Sequence, residues 1–169
     1  FDYPQGEDTS EFKYDGTAGI KLNLINKLLF SVYEGDGKIL LSSAINSDSR
    51  IMINRNIIDR VQKLAPFLSY DKDPYLVISG GSLVWVIDAY TSSDKYPFSF
   101  YYGNVNYIRN SIKVTVDAYN GDVNFYIIDE EDPIAQSYAK IYEGLFKSKQ
   151  EIPLDIVSHF RYPADLFNL

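Results

Sequence analysis

IKVTVDAYNGDVNFYIID, residues 112–129, decides the fold. Apolar and polar residues alternate on both sides of Asn120-Gly121. Asn-Gly is a strong tight-hairpin signal, because both positions of such a turn need positive φ. A two-residue loop pairs Tyr119 with Asp122, Ala118 with Val123, Val116 with Phe125 and Val114 with Ile127. Each inward residue then meets an apolar one, while Lys113, Thr115 and Asp117 face the other way.

A second hairpin lies upstream. Tyr75–Ser79 and Ser82–Tyr90 flank Gly80-Gly81. Asp-Ala-Tyr closes an apolar run twice, at 88–90 and at 117–119. Alternation turns Ala89 and Ala118 inward and Asp88 and Asp117 outward, so two strands end alike and no repeat is implied. Leu76, Ile78, Trp85 and Ile87 share one face; Val77, Val84 and Val86 share the other. Both faces are apolar and both need cover. Asp88 lies on the second face and needs a partner there; Arg109 is the expected one.

Outside the hairpins the period changes to that of helices. Leu22, Ile25, Leu28, Leu29 and Val32 make a stripe over Lys21–Tyr33, stopped by Glu34-Gly35-Asp36-Gly37. Residues 38–48 read as a short strand or a turn. Ile53, Ile57, Val61, Leu64, Ala65 and Leu68 give a second helix that ends near Leu64, because Pro66 cannot continue it. Asp132-Pro133 opens a third, with Asp as N-cap and Pro at the first helical position. Ile152-Pro153 starts a short helix through about His159, and the tail around Pro163 packs as an irregular or single-turn segment. The order predicts an α+β fold: an antiparallel-rich sheet of about four strands (two hairpins, 75–90 and 112–129) flanked by N-terminal and C-terminal helices. One soluble domain spans 1–169, with 1–19 an irregular lead-in and 91–110 a long aromatic loop.

Bulk properties exclude several function classes. The 169 residues carry a net charge of −7 with a sequence pI of about 4.6, so the basic footprint of a nucleic-acid binder is missing. The absence of Cys excludes disulfides, thiolate metal sites and a cysteine nucleophile, and the single His159 excludes sites that need two imidazoles. No apolar run reaches the ~18–20 residues of a membrane span. Neither a phosphate-binding P-loop nor a dinucleotide fingerprint occurs, and no cofactor is implied.

The remaining candidates are few, and no catalytic set is selected. Asp71 and Asp73 in YDKDPY are weak metal candidates, since clustered oxygens suit Ca²⁺. Their spacing is not that of an EF-hand loop, and Asp and Pro also simply punctuate turns. His159 is expected to pack or hydrogen-bond locally. The notable feature is the aromatic connection between the hairpins: Tyr96, Phe98, Phe100, Tyr101, Tyr102 and Tyr107, with Arg109 close behind. Tyr offers a large contact area with a polar tip, which suits ligand or partner surfaces. Asp88, Tyr96, Phe98, Tyr101, Tyr102, Tyr107 and Arg109 are therefore the candidate ligand or partner surface. Alternatively, these rings cover the sheet's second face.

Whole phrases resemble uncharacterised protein family 0182, a group of large bacterial membrane proteins. They are FDYPQG, SDSRIMINRNIIDRVQKLAPFLSYDKDPYLV, WVIDAYTSSDKYPFS, NYIRNSIKVTVDAYNGDVNFYIIDEEDP and HFRYPADLF, in order over nearly the full chain. The departures are Ser79-Gly80-Gly81, where an acidic or Asn-Gly turn is usual, and Phe98, where Tyr is common. Members have several N-terminal transmembrane helices followed by a large soluble region. Beginning at Phe1 and not Met, the chain is expected to be an excised part of that region. The resemblance implies a domain tethered to the cell membrane through segments outside this chain and lying outside the cytoplasm; it carries no catalytic motif.

The functional expectation is a non-catalytic extracytoplasmic binding, assembly or sensory domain. A homo-oligomer or an envelope protein partner would fit it. The alternatives are a small-ligand sensor using the 96–109 loop and a carboxylate-dependent hydrolase of cell-envelope polymer.

Overall fold

The computed structural model describes residues 2–5, 8–11 and 14–168. The chain divides into two compact units, 1–53 and 54–169.

In the first unit, β1 (Asp2–Gln5) pairs antiparallel with β2 (Asp8–Glu11), inside the stretch expected to be an irregular lead-in. Further on, β3 (Ile20–Lys21) pairs antiparallel with β4 (Arg50–Ile51). The Arg50 guanidinium ties this corner down by donating to the carbonyls of Thr17, Ala18 and Gly19 at 2.8, 3.0 and 3.1 Å. Between them, α1 (Leu24–Glu34) is capped by the Asn23 side chain and ends at Gly35 in the left-handed region, at the expected stop. Its apolar stripe lies opposite to the usual arrangement. Asn26 and Lys27 donate inward to the carbonyls of Lys21 and Ile45, while Leu24, Ile25, Leu28, Leu29 and Val32 are exposed. Residues 38–41, read as strand or turn, form the short helix α2 (Lys38–Leu41). The Asp36 carboxylate accepts from the Lys38 N–H and so starts a helical turn.

The second unit is α+β, as expected. Its strands are β5 (Ser69–Tyr70), β6 (Tyr75–Ser79), β7 (Ser82–Ser93), β8 (Tyr107–Asp117), β9 (Val123–Ile127) and β10 (Phe146–Ser148). The order is β10–β9–β8–β7, with β5 and β6 both on the outer side of β7, and only the β10–β9 pair is parallel. The two expected hairpins form the centre, and short strands extend both sides. Gly80 and Gly81 have φ of 56° and 83° and close Ser79 onto Ser82, which is the primed turn the Gly pair requires.

The second hairpin corrects the expected register. Val116 pairs with Val123 and Val114 with Phe125, two residues from the predicted partners. The Asp117 carboxylate accepts from the N–H groups of Tyr119 (3.0 Å) and Asn120 (2.5 Å), and the Asp117 carbonyl accepts from Gly121 N–H at 2.8 Å. That wraps a wider loop in place of the two-residue turn. An even shift leaves every side chain on its predicted face.

The first face packs Ile87, Ala89, Ile112, Val114, Val116, Phe125 and Ile127 beneath two helices. These are α3 (Ile57–Leu64), which buries Val61, and α4 (Pro133–Ile141), which buries Ala135. Asn56 and Asp132 cap them, and α3 ends at Leu64, ahead of Pro66. Tyr75, Val77, Val86 and Tyr126 on the second face pack against Ile152, Ile156, Val157 and Phe160. The cover is thus the C-terminal segment, which includes α5 (Leu154–Val157) and α6 (Ala164–Phe167), and not the aromatic loop.

Beneath this segment lies a buried polar layer. Asp88 sits directly opposite Lys113, and the two form an ion pair with side chains 4% and 3% exposed. The expected partner, Arg109, lies further along the strand pair and instead bonds Asp129 at 2.5 Å. The register explains the difference: Asp88 pairs directly with Lys113, whereas Arg109 pairs with Thr91, beyond a β-bulge. Lys113 also donates to the Arg161 carbonyl at 3.2 Å and lies over the Phe160 ring. Beside it, the Tyr90 hydroxyl donates to Asp71, which also accepts from Asp73 N–H (2.9 Å) and Asp165 N–H (3.0 Å). Burial pushes the Asp71 carboxyl up, but these three donors hold it below its ordinary value. For Asp88 burial wins, and its carboxyl is raised despite Lys113.

Removing one member of a buried ion pair strands the other. Lys113→Met should therefore cost about 3–5 kcal/mol in urea unfolding, and Asp88→Leu added to it should restore most of that loss. A double variant no better than Lys113→Met would show that the pair is not the unit that matters.

Candidate functional site

The connection between β7 and β8, residues 94–106, is built on a rigid base. Asn106 is buried and acts as a clamp. Its side-chain oxygen accepts from Tyr96 N–H at 2.9 Å and its amide donates to the Tyr96 carbonyl at 2.7 Å, as a neighbouring strand would. Ser99 donates to the Asn106 carbonyl at 2.6 Å, and the Tyr101 hydroxyl donates to the Asp94 carbonyl at 2.7 Å. Tyr102 and Val105 exchange backbone hydrogen bonds of 2.8 and 3.2 Å around Gly103. With Gly103 at φ 59°, the turn closes tightly.

A second anchor runs through Tyr107. Its ring stacks on Tyr96 with centroids 4.7 Å apart, and its hydroxyl donates to Asp132 at 2.9 Å. Asp132 is fully buried and takes further hydrogen bonds from Thr91 and from Ile134 N–H, at 2.5 and 3.0 Å. The convergence depends on a β-bulge. Ala89 pairs with Ile112 but Thr91 with Arg109, so Asn110 and Ser111 together oppose Tyr90. Such a bulge re-aims side chains. Burial pushes the Asp132 carboxyl up, yet the hydroxyls of Thr91 and Tyr107 with the Ile134 N–H hold it below the ordinary value.

On this base the loop presents apolar surface to solvent. Phe98 is fully exposed and Phe100 is 94% exposed, while Tyr101, Tyr102 and Tyr96 are also on the surface. Phe98 has φ 60°, in the left-handed region that bulky L-residues avoid. A strained backbone that holds an apolar ring out in water is costly on both counts, and such strain clusters at binding sites.

The candidate residues therefore separate. Tyr96, Phe98, Tyr101 and Tyr102 come together in the loop, with Tyr107 as their support. Arg109 lies at the loop's foot, half-exposed, in a surface ion pair with Asp129. Asp88 is sealed under the C-terminal segment and belongs to the fold. Asp71 is likewise buried, with its oxygens occupied by three donors, whereas Asp73 is exposed. His159 hydrogen-bonds the Asp155 carbonyl at 2.6 Å, a local contact as expected. Asn106 had no sequence signal beyond its place in GNVN, and Asp132 read only as a helix cap. An open depression of about 440 Å³ is lined by Glu130, Gln136, Phe146 and Lys147 among others, and none of its lining residues comes from the loop.

Because Asp132 is depressed, its contribution to stability is present above the ordinary carboxylate range and is lost as pH falls through the folded value, below 3.8. Asp132→Asn keeps a competent N-cap but not the charge. Thermal unfolding should show wild type more stable than this variant at pH 7, with the gap closing below about pH 4. A gap independent of pH would place the Asp132 effect in packing and not in charge.

Comparison with known proteins gives one consistent answer. A family model described as Uncharacterised protein family (UPF0182) matches residues 1–169. A UPF0182 protein of Clostridium perfringens (strain ATCC 13124) is 60% identical over 169 residues, covering 100% of this chain and 18% of that protein. A UPF0182 protein of Clostridium acetobutylicum is 58% identical over 168 residues, 99% of this chain and 18% of its own length. One of Clostridium botulinum (strain Hall) is 53% identical over 169 residues, 100% and 19%. The chain thus spans 18–19% of the length of these relatives. No solved structure matches it. The chain belongs to the UPF0182 family.

Proposed function

We propose that this region is a non-catalytic docking domain, held at the cell membrane through segments outside this chain and facing the outside of the cytoplasm. The 94–106 loop is its binding surface, and its ligand is a protein. One observation carries this reading: a fully exposed Phe98 at φ 60° on a loop otherwise fixed by side-chain hydrogen bonds. Rigid aromatic rings on a pre-ordered loop lose little entropy on binding, which is how protein-recognition surfaces gain affinity. The buried carboxylates Asp71, Asp88 and Asp132 are engaged in holding the fold together, and the family match names no activity that would draw on them.

Phe98→Gly separates the loop's cost from its use. The left-handed conformation costs a bulky residue about 1–2 kcal/mol, and glycine gives back about 0.5–1 in chain entropy. The variant should therefore be more stable than wild type by up to about 1.5 kcal/mol. A photoreactive side chain at Tyr102 should capture a protein partner in cells expressing the otherwise native sequence and should fail to capture it once Phe98→Gly is added. A capture that survives Phe98→Gly unchanged would remove the loop from the binding surface.

A further inference from the structure

The sheet has an open edge in β6. Among the described residues β6 pairs only with β7. The Leu83 carbonyl accepts from Ala118 N–H at 2.9 Å, on the side away from β6. Ile78↔Leu83 is therefore a non-hydrogen-bonded pair, and by alternation so is Leu76↔Trp85. The backbone N–H and C=O groups of Leu76 and Ile78 consequently point outward from the sheet.

Both ends of this edge are closed by carboxylates. Asp165 accepts from Lys72 N–H at 3.2 Å, and Asp155 accepts from Gly80 N–H at 3.1 Å. Between them YLVIS carries no charge, no proline and no bulge, the devices that normally guard an edge. Its outward-facing apolar side chains are bare: Leu76 is 41% exposed, Ile78 69%, and Leu83 opposite Ile78 48%.

This segment is self-complementary. If two copies run antiparallel about Val77, Leu76 of each lies across from Ile78 of the other. These are the two residues whose polar groups point outward, so they form the hydrogen-bonded pairs. Residues directly opposite share a face, so Leu76, Ile78 and Leu83 of both copies join into one apolar patch. The same register carries Lys72 of each copy towards the turn of the other, where Asp155 sits. We propose that β6 pairs with β6 of a second copy of this chain, making one continuous sheet across a two-fold axis. The surface is separate from the aromatic loop, so either can fail without the other.

The test uses the protein as the cell makes it. At the two-fold, Val77 of each copy forms a non-hydrogen-bonded pair with Cα atoms about 4.5 Å apart, within disulfide range. These 169 residues contain no other cysteine to compete. Val77→Cys should give a disulfide-linked dimer under mild oxidation, and the dimer should disappear when Ile78→Lys is added. Ile141→Cys, at an exposed site on α4 away from the edge, should stay monomeric. Because Val77 is buried, a second reading avoids it: by sedimentation, wild type should be dimeric and Ile78→Lys alone monomeric. A monomeric wild type, or a dimer indifferent to Ile78→Lys, overturns the proposal. So does a Val77→Cys adduct with a different protein.

Discussion

The Asp88–Lys113 ion pair under the C-terminal segment is the constraint on which the second unit depends. Two charges cannot leave water cheaply, and their attraction repays the loss only when their remaining hydrogen-bonding capacity is met. Here the fold meets it from three directions. The opposite strand supplies the partner, the Arg161 carbonyl takes a second ammonium proton, and Phe160 faces the cation. Arg161 in turn lies over Tyr75, and Asp71 bonds Asp165 N–H. Apolar contacts through Ile152 and Ile156 give this segment adhesion. The polar contacts add directional bonds at fixed positions along it.

Once both faces are covered from within the unit, the aromatic loop is left free to project. Its foundation is the β-bulge, which turns Thr91 and Tyr107 towards Asp132 and so ties the loop to the start of α4. A helix cap, a bulge and a ring stack thus act as one support. Order in the support and exposure at the tip are the combination a pre-organised binding surface needs.

Much of this was legible in the chain wherever the chemistry is local. Helix ends followed from Gly35, Pro66 and Asp132, because a cap is settled within one turn. Strand faces followed from the two-residue period, and they survived a register error because the shift was even. The register itself was not legible. Asn120-Gly121 signals a tight turn, but the Asp117 carboxylate captured two N–H groups and widened it. The partner of Asp88 was hidden for a different reason. β7 and β8 join through the long loop, so nothing local states that residue 88 faces 113. The stripe on α1 shows a further limit: periodicity reveals that a helix has an apolar face, not which way that face is turned. Asn106 carried no signal, since its clamp exists only once the loop has closed.

The most direct test of the buried-pair constraint is hydrogen exchange on a chain ending at His159, without Phe160, Arg161 and Asp165. The amides of residues 85–90 and 112–116 should lose much of their protection relative to the full chain, because the ion pair would then be open to water, while those of α3 should change less. Unchanged protection at Asp88 and Lys113 would contradict the dependence of the sheet on its C-terminal cover.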